Sequence, residues 1–181
     1  MSGHNKWSKI KHKKAATDSQ KSRIFSRYSR LITLEAKKAN GDILSPALAA
    51  IIDRAKKDSM PKENIERAVA KGTSSESANL EELLYETYGP GGVAILIVVI
   101  TDNNNRTAPE IKNLLVKAGY QIATPGSASW AFNKHDDSYY PTSPLALGED
   151  DGEKLTTLVD LIENHPDVQA VYTSADSPSN P

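Results

Sequence analysis

The sequence predicts an α+β protein in two parts, a basic three-helix domain followed by a ferredoxin-like α/β sandwich. Three observations predict it. Up to about residue 72, apolar residues recur at three- and four-residue intervals, the period of amphipathic helices. Beyond a small, polar stretch at residues 73–79, β-branched runs alternate with two further helical patterns. Charge divides at the same place: residues 1–71 carry 17 Lys and Arg against 7 Asp and Glu, and residues 72–181 carry 5 against 16. The net charge of −1 conceals this asymmetry, and a basic half of this size implies a polyanionic partner.

The chain opens with Ser2-Gly-His-Asn-Lys-Trp-Ser-Lys-Ile-Lys-His-Lys-Lys14, in which five lysines surround Trp7, His4 and His12 and no acid occurs before Asp18. A cationic strip with an aromatic inside it suits a phosphate backbone and a base or ribose face. A helix is expected from Gln20 to Asn40. Ile24, Phe25, Tyr28, Leu31, Ile32 and Ala36 form its apolar stripe, and Arg23, Arg27, Arg30 and Lys37 fall on a neighbouring face. Ordinary surface helices interleave Glu with Lys at i,i+4, and this one does not. The candidate nucleic-acid-binding residues are therefore Lys6, Trp7, Lys9, Lys11, His12, Lys13, Lys14, Lys21, Arg23, Arg27 and Arg30.

Asn40-Gly41-Asp42 supplies a stop, and Ser45-Pro46 a start with Ser as N-cap and Pro at the first helical position. Leu48, Ile51, Ile52 and Ala55 form the stripe of a second helix that ends near Asp58. Met60-Pro61 restarts the chain into a third, where Ile65, Ala68 and Val69 face inward and Gly72 closes the end. Such short helices bury a small core, so residues 1–20 are expected to be loosely held until a partner orders them.

After the 73–79 linker, Leu83–Tyr88 reads as a strand and Gly89-Pro90-Gly91-Gly92 as a hairpin turn. Val93–Thr101 reads as a strand buried on both faces. Asp102–Arg106 is read as a loop, with Asn103, Asn104, Asn105 and Arg106 as a candidate RNA or protein contact, since three amides and an arginine exceed what a turn needs. Thr107 and Glu110 form a capping box for a helix closed by Gly119. Ser127–Asn133 is expected to be a strand with Trp130 in the core. An edge strand follows at Tyr139–Leu147, then a helix at Glu153–Asn164 and a last strand at Val168–Thr173. With the first strand set aside, the order β-α-β-β-α-β names the ferredoxin-like sandwich, whose sheet carries two helices on one face. The domains are residues 1–72, 80–175 and a disordered tail at 176–181.

The same residues exclude several classes. There is no cysteine, so disulfides and thiolate metal sites are unavailable, which fits a reducing compartment. The longest apolar run, Val93–Ile100, is too short to span a bilayer, and no signal-peptide core opens the chain, so a cytoplasmic location and no membrane partner are expected. His4, His12, His135 and His165 lack ligand spacing on a helix, so neither a metal nor a cofactor is expected. The acids at Glu149–Glu153 read as a helix-dipole feature. Tyr88-Gly-Pro-Gly-Gly92 leads into a strand, whereas phosphate loops lead into a helix. No catalytic set emerges. A hydrolase using His135 and the acidic cluster is the least supported reading.

Five stretches also resemble the YebC/PmpR family, which includes the mitochondrial translational activator of cytochrome oxidase. They are Ser2 to Lys14, Ile24-Phe25-Ser26, Met60-Pro61-Lys62-Glu63-Asn64-Ile65-Glu66-Arg67-Ala68, Tyr85-Glu86 with Tyr88 to Gly92, and Thr101-Asp102-Asn103 with Asn105-Arg106-Thr107. Asp167-Val168-Gln169-Ala170-Val171-Tyr172 is similar to the family's C-terminal signature. Members usually carry a further α/β domain between the segments matching Ser127–Phe132 and Tyr139 onward. Here His135–Ser138 is the whole connection, so that third domain is expected to be missing. The resemblance implies a non-enzymatic regulator of one of two kinds. One is a ribosome-associated translation factor that helps elongation through stretches such as consecutive prolines, and the other is a DNA-binding transcriptional regulator. An extended basic tail with a lone aromatic favours RNA, and with no helix-turn-helix or obvious dimer interface a monomer is expected.

Overall fold

The computed structural model describes residues 18–176. Lys6, Trp7, Lys9, Lys11, His12, Lys13 and Lys14 lie outside the described residues, as does the expected tail beyond Asp176. The chain divides into a helical unit that runs to Glu82 and takes in Ile100–Asn104, and a sandwich unit built from Leu83–Val99 and the chain from Asn105 onward. The α+β class stands, with helices first and an α/β sandwich second. No helix among the described residues is long and apolar enough to cross a membrane.

The helical unit comprises α1 (Asp18–Lys38), α2 (Pro46–Lys57) and α3 (Lys62–Gly72). Ile32, Ala36, Leu48, Ile51, Ala55, Met60, Ile65 and Ala68 are buried together, with Phe25, Tyr28 and Leu31 packed at their edge. The helical period had selected all but Met60. α1 stops where Asn40-Gly41 should stop it: both residues have positive φ, at 49° and 81°. The Gly41 N–H donates to the Ala36 carbonyl at 2.8 Å and the Asn40 N–H to that of Lys37 at 3.3 Å, the paired bonds of a Schellman motif. Pro46 begins α2 as expected, but the Ser45 side chain makes no capping bond.

Gly72 acts differently from expectation. It is the last residue of α3, not a left-handed residue beyond it. A Cβ at this position would lie 2.6 Å from the Ala36 Cβ and 2.6 Å from the Thr33 carbonyl oxygen, so the glycine lets α3 touch the backbone of α1. Thr33 Oγ1 donates to the Ala68 carbonyl at 3.1 Å across the same contact. The 73–79 linker continues this packing. Ser75–Ser77 forms a 3₁₀ turn, Ser77 Oγ donates to the Gly72 carbonyl at 2.8 Å, and Lys37 Nζ donates to the carbonyls of Ala78 and Leu80 at 2.7 and 3.1 Å.

The sandwich unit contains β1 (Glu81–Tyr88), β2 (Ala94–Thr101), α4 (Asn104–Lys117), β3 (Phe132–His135), β4 (Ser138–Pro141), α5 (Glu149–Glu163) and β5 (Val168–Thr173). Its sheet make-up departs from the β-α-β-β-α-β expectation. β2 and β5 pair antiparallel as that order requires, but β1, set aside in the sequence reading, flanks β2 on its other side. β3 and β4 pair only with each other. The expected strand at Ser127–Asn133 is mostly a 3₁₀ turn, Ser129–Ala131, before β3 begins. The expected edge strand at Tyr139–Leu147 ends at Pro141, and Leu145 separately bridges Ala175. The Asp176 N–H donates to the Leu145 carbonyl at 2.7 Å, so the chain is held to that point.

β2 is buried on both faces, as its unbroken apolar run required. Val93, Ile95, Ile97 and Val99 pack with Ile111, Leu115, Leu155, Leu158 and Ile162 of the two helices. Ala94 and Leu96 face Ala128, Ala131 and Phe132, so the turn and the β3–β4 hairpin cover the face that the helices leave. In β5 the pairing shifts register opposite Val98 and Val99. That bulge adds one residue, which is why Val168 and Val171, three apart, share one core. Gly119, at φ 88°, ends α4 with the Tyr120 N–H donating to the Leu115 carbonyl at 2.9 Å.

Replacing Gly72 with alanine is expected to destabilise the chain by about 1–3 kcal/mol, the usual cost of overpacking a close contact. Chemical denaturation followed by circular dichroism measures it, and a neutral or stabilising result would show that the α1–α3 contact relaxes freely.

Candidate nucleic-acid interface

Of the cations placed on α1 by the sequence, Lys21 and Arg23 are exposed, whereas Arg27 and Arg30 are half-buried. The expected four-cation face is therefore open mainly at its N-terminal end. From Lys21 to Leu34 the helix sequence contains no acid; Asp18 precedes that run, and Glu35, which pairs with Lys38 at 2.5 Å, follows it. Tyr28 turns its hydroxyl to Asp58 at 2.5 Å, and burial together with that carboxylate raises the phenol well above its ordinary range. Beside Lys21, a groove of about 510 Å³ runs between α1 and the start of α3. Asn64 and Arg67 line it from α3, and sequence reasoning missed both because it used that segment only for its inward residues Ile65 and Ala68. Their i,i+3 spacing on the face beside the core was the available signal.

The Asn103–Arg106 stretch is not a loop. Asn104, Asn105 and Arg106 form the first turn of α4, with Pro109, which has no N–H to give, inside the helix. Thr107 does not cap the helix as expected. Its hydroxyl is buried and donates to Asp167 Oδ2 at 2.7 Å, and Arg106 Nη2 donates to the same oxygen at 2.7 Å. Asn103, Asn104 and Asn105 are exposed, so the amides remain at the surface while the arginine is tied down. The Asp167 N–H donates to His165 Nδ1 at 3.2 Å, which leaves Nε2 to carry the proton it shares with Glu110 at 3.0 Å. Donor atoms of Glu110, His165 and Asp167 lie within 4.8 Å of one another, a cluster invisible to the sequence. The cation among them is the Arg106 guanidinium, so the group acts as a lock between α4 and the entry to β5.

A second lock fixes the turn before β3. Glu86 is 4% exposed, and its carboxylate accepts the N–H groups of Gly126, Ala128 and Ser129 at 2.7, 2.6 and 2.9 Å. Burial pushes its pKa up, but the backbone donors outweigh burial and hold it below the ordinary carboxylate range. This explains why Ser127–Asn133 is not a strand at its start: the Ala128 and Ser129 N–H groups serve Glu86, and those of Ser127 and Ala131 close local turns, rather than reaching a sheet neighbour. It also corrects the place given to Trp130, which is 71% exposed and not in the core. The indole N–H donates to the Tyr88 hydroxyl at 3.2 Å, and that hydroxyl donates to the Ser127 carbonyl. His135 ends β3 beside Asp136, exposed, and the acids Glu149, Asp150 and Asp151 lie in the first turn of α5, where they favour the helix dipole.

An acid-poor cationic helix beside a groove, followed by a sandwich whose turns are locked by buried carboxylates, defines a two-part α+β protein with a basic helical unit. Two family models divide it at the same point: the TACO1/YebC protein N-terminal domain matches residues 5–75, and the TACO1/YebC second and third domain matches residues 80–136. The chain belongs to the TACO1/YebC family. It is 43% identical over 175 residues to a "Probable transcriptional regulatory protein" of Chlorobaculum parvum, covering 96% of this chain and 69% of that protein. A protein of the same description from Trichlorobacter lovleyi is 47% identical over 145 residues, covering 79% of this chain, which spans only 59% of that relative's length. The crystal structure of a conserved hypothetical protein from Aquifex aeolicus matches with a TM-score of 0.85 at 26% identity, over 97% of this chain and 98% of that one. The second-and-third-domain match stops at residue 136, in the turn where β3 passes directly into β4.

Replacing Glu86 with glutamine is expected to cost about 2 kcal/mol, because an amide cannot accept all three N–H bonds. Folding lowers the Glu86 pKa, so the lock is fully stabilising above the ordinary glutamate value of 4.5 and is lost as pH falls below it. Denaturation midpoints from about pH 6 to about pH 3 should therefore fall more steeply for the unsubstituted chain than for the Glu86→Gln variant; parallel curves would contradict this. Asp167→Ala is expected to cost about 2 kcal/mol, less than a fully buried pair because Arg106 is half exposed, and an unchanged urea midpoint would remove the Arg106–Asp167 lock.

Proposed function

We propose that this chain is a non-enzymatic, nucleic-acid-binding regulator acting in the cytoplasm. Its first reading is as a ribosome-associated translation factor, gripping ribosomal RNA through the helical unit and assisting elongation through difficult stretches such as consecutive prolines. The observation that carries it is the acid-free run of α1 with Lys21 and Arg23 exposed, directly after the five lysines and Trp7 of residues 6–14. Such a strip gains affinity for phosphates by releasing counterions, and the aromatic adds a face for bases. The buried carboxylates Glu86 and Asp167 are held by backbone N–H groups and by Arg106 and Thr107, a structural use of those acids.

A second reading is a regulator acting on duplex DNA at promoters. The descriptions of the relatives favour it, and the same exposed cations would serve duplex phosphates. Phosphate contacts position a protein without reading sequence, so charge alone separates neither partner.

Replacing Lys21 and Arg23 together with alanine should weaken sedimentation with purified ribosomes at physiological salt by about tenfold. It should also reduce the slope of log affinity against log salt by roughly 1.5, as expected for two lost phosphate contacts. The thermal midpoint should not move. A folded variant with undiminished binding would take α1 out of the interface.

A further inference from the structure

We propose that the groove between α1 and α3 holds a single unstacked nucleotide of a single-stranded RNA segment. This rests on the nucleic-acid-binding reading above and gives it a site. The groove measures about 510 Å³, within the range of roughly 300–1,000 Å³ found for small-ligand sites. α1 contributes Lys21, Phe25 and three serines, at spacings that put them on one helical face, distinct from the face of Arg23, Arg27 and Arg30. α3 contributes Asn64 and Arg67, and Met60 lies just before it.

The lining has the three kinds of group that a nucleotide needs. Half-buried Phe25 and buried Met60 form an apolar floor, the surface on which a base face loses its water. Hydroxyls of Ser22, Ser26 and Ser29 and the Asn64 amide can both donate and accept, matching base edges and a ribose 2′-hydroxyl. Lys21 and Arg67 are exposed cations for the phosphate, and among the described residues no acid lines the groove. An apolar peptide would cover Lys21, Arg67, the serine hydroxyls and the Asn64 amide without replacing their water. Stacked bases in a duplex hide the faces that Phe25 would meet, so the occupant is single-stranded.

The test is fluorescence anisotropy of a labelled single-stranded oligoribonucleotide titrated with the full chain at physiological salt, alongside ribosome sedimentation. Arg67→Ala, Asn64→Ala and Phe25→Leu, the last keeping apolar volume without a ring, should each weaken RNA binding by about five- to twentyfold. Lys112→Ala, an exposed cation of α4, should change it by less than about twofold. An oligonucleotide with abasic positions should bind more weakly to the unsubstituted chain and show no further loss with Phe25→Leu. The proposal is overturned if Phe25→Leu and Asn64→Ala bind as tightly as the unsubstituted chain, or if Arg67→Ala and Lys112→Ala weaken binding equally. It is also overturned if polyglutamate displaces the RNA as effectively as unlabelled RNA does. If the unsubstituted chain binds ribosomes and RNA but the groove variants do too, only the groove assignment falls. Failure of the unsubstituted chain to bind either would remove the broader reading with it.

Discussion

The close contact of α3 with α1 at Gly72 is the constraint on which the helical unit depends. There the two helices approach until no methyl group fits, with Thr33, Ala36 and Gly72 touching. Toward their N-terminal ends the residues between them become Phe25, Ser26, Asn64 and Arg67, and a groove opens. The helices run in the same direction, held tightly at one end and parted at the other. Lys37, Ser77 and the start of the linker reinforce the tight end, and Met60, just before α3, helps line the groove at the other. The exposed residues Lys21 and Arg23 sit at that end of α1.

The sandwich solves a different problem with different means. Its central strand, β2, is apolar on both faces and must be covered twice. Two helices cover one face, and a short hairpin with its preceding turn covers the other. A hairpin of two four-residue strands is a weak cover by itself, so the turn is fastened by a buried carboxylate, Glu86, whose three backbone donors replace the water it gives up. Asp167 does the same for the first turn of α4 and the entry to β5. A consequence of the Glu86 lock is that Trp130 is presented at the surface with only its indole edge tied.

Much of this was legible in the sequence, and the limit falls at contacts between distant residues. Asn40-Gly41 and Gly119 announce helix ends because a left-handed residue after a helix is a local requirement. The run Val93–Thr101 announces a doubly buried strand because composition alone decides that. Gly72 looked like another terminus, and only the facing Ala36 reveals it as a packing glycine. Ser127–Asn133 has strand-like residues, but Glu86, some forty positions earlier, takes its N–H groups. Arg106 looked available in a polar stretch, and its partner Asp167 is 61 residues away. Within the candidate interface the cations were legible and their exposure was not: the wheel put Arg23, Arg27 and Arg30 together, and packing leaves only Arg23 of the three exposed.

On the reading proposed above, the helical unit grips single-stranded or irregular RNA on a ribosome in preference to duplex DNA. The most direct measurement is a competition in which labelled full-length chain is sedimented with purified ribosomes at physiological salt while duplex DNA is added in excess. Label that stays with the ribosomes at saturating DNA is the predicted result. Label stripped away in proportion to DNA phosphate would contradict the claim, reduce ribosome binding to attraction between polyions, and transfer the case to the promoter reading.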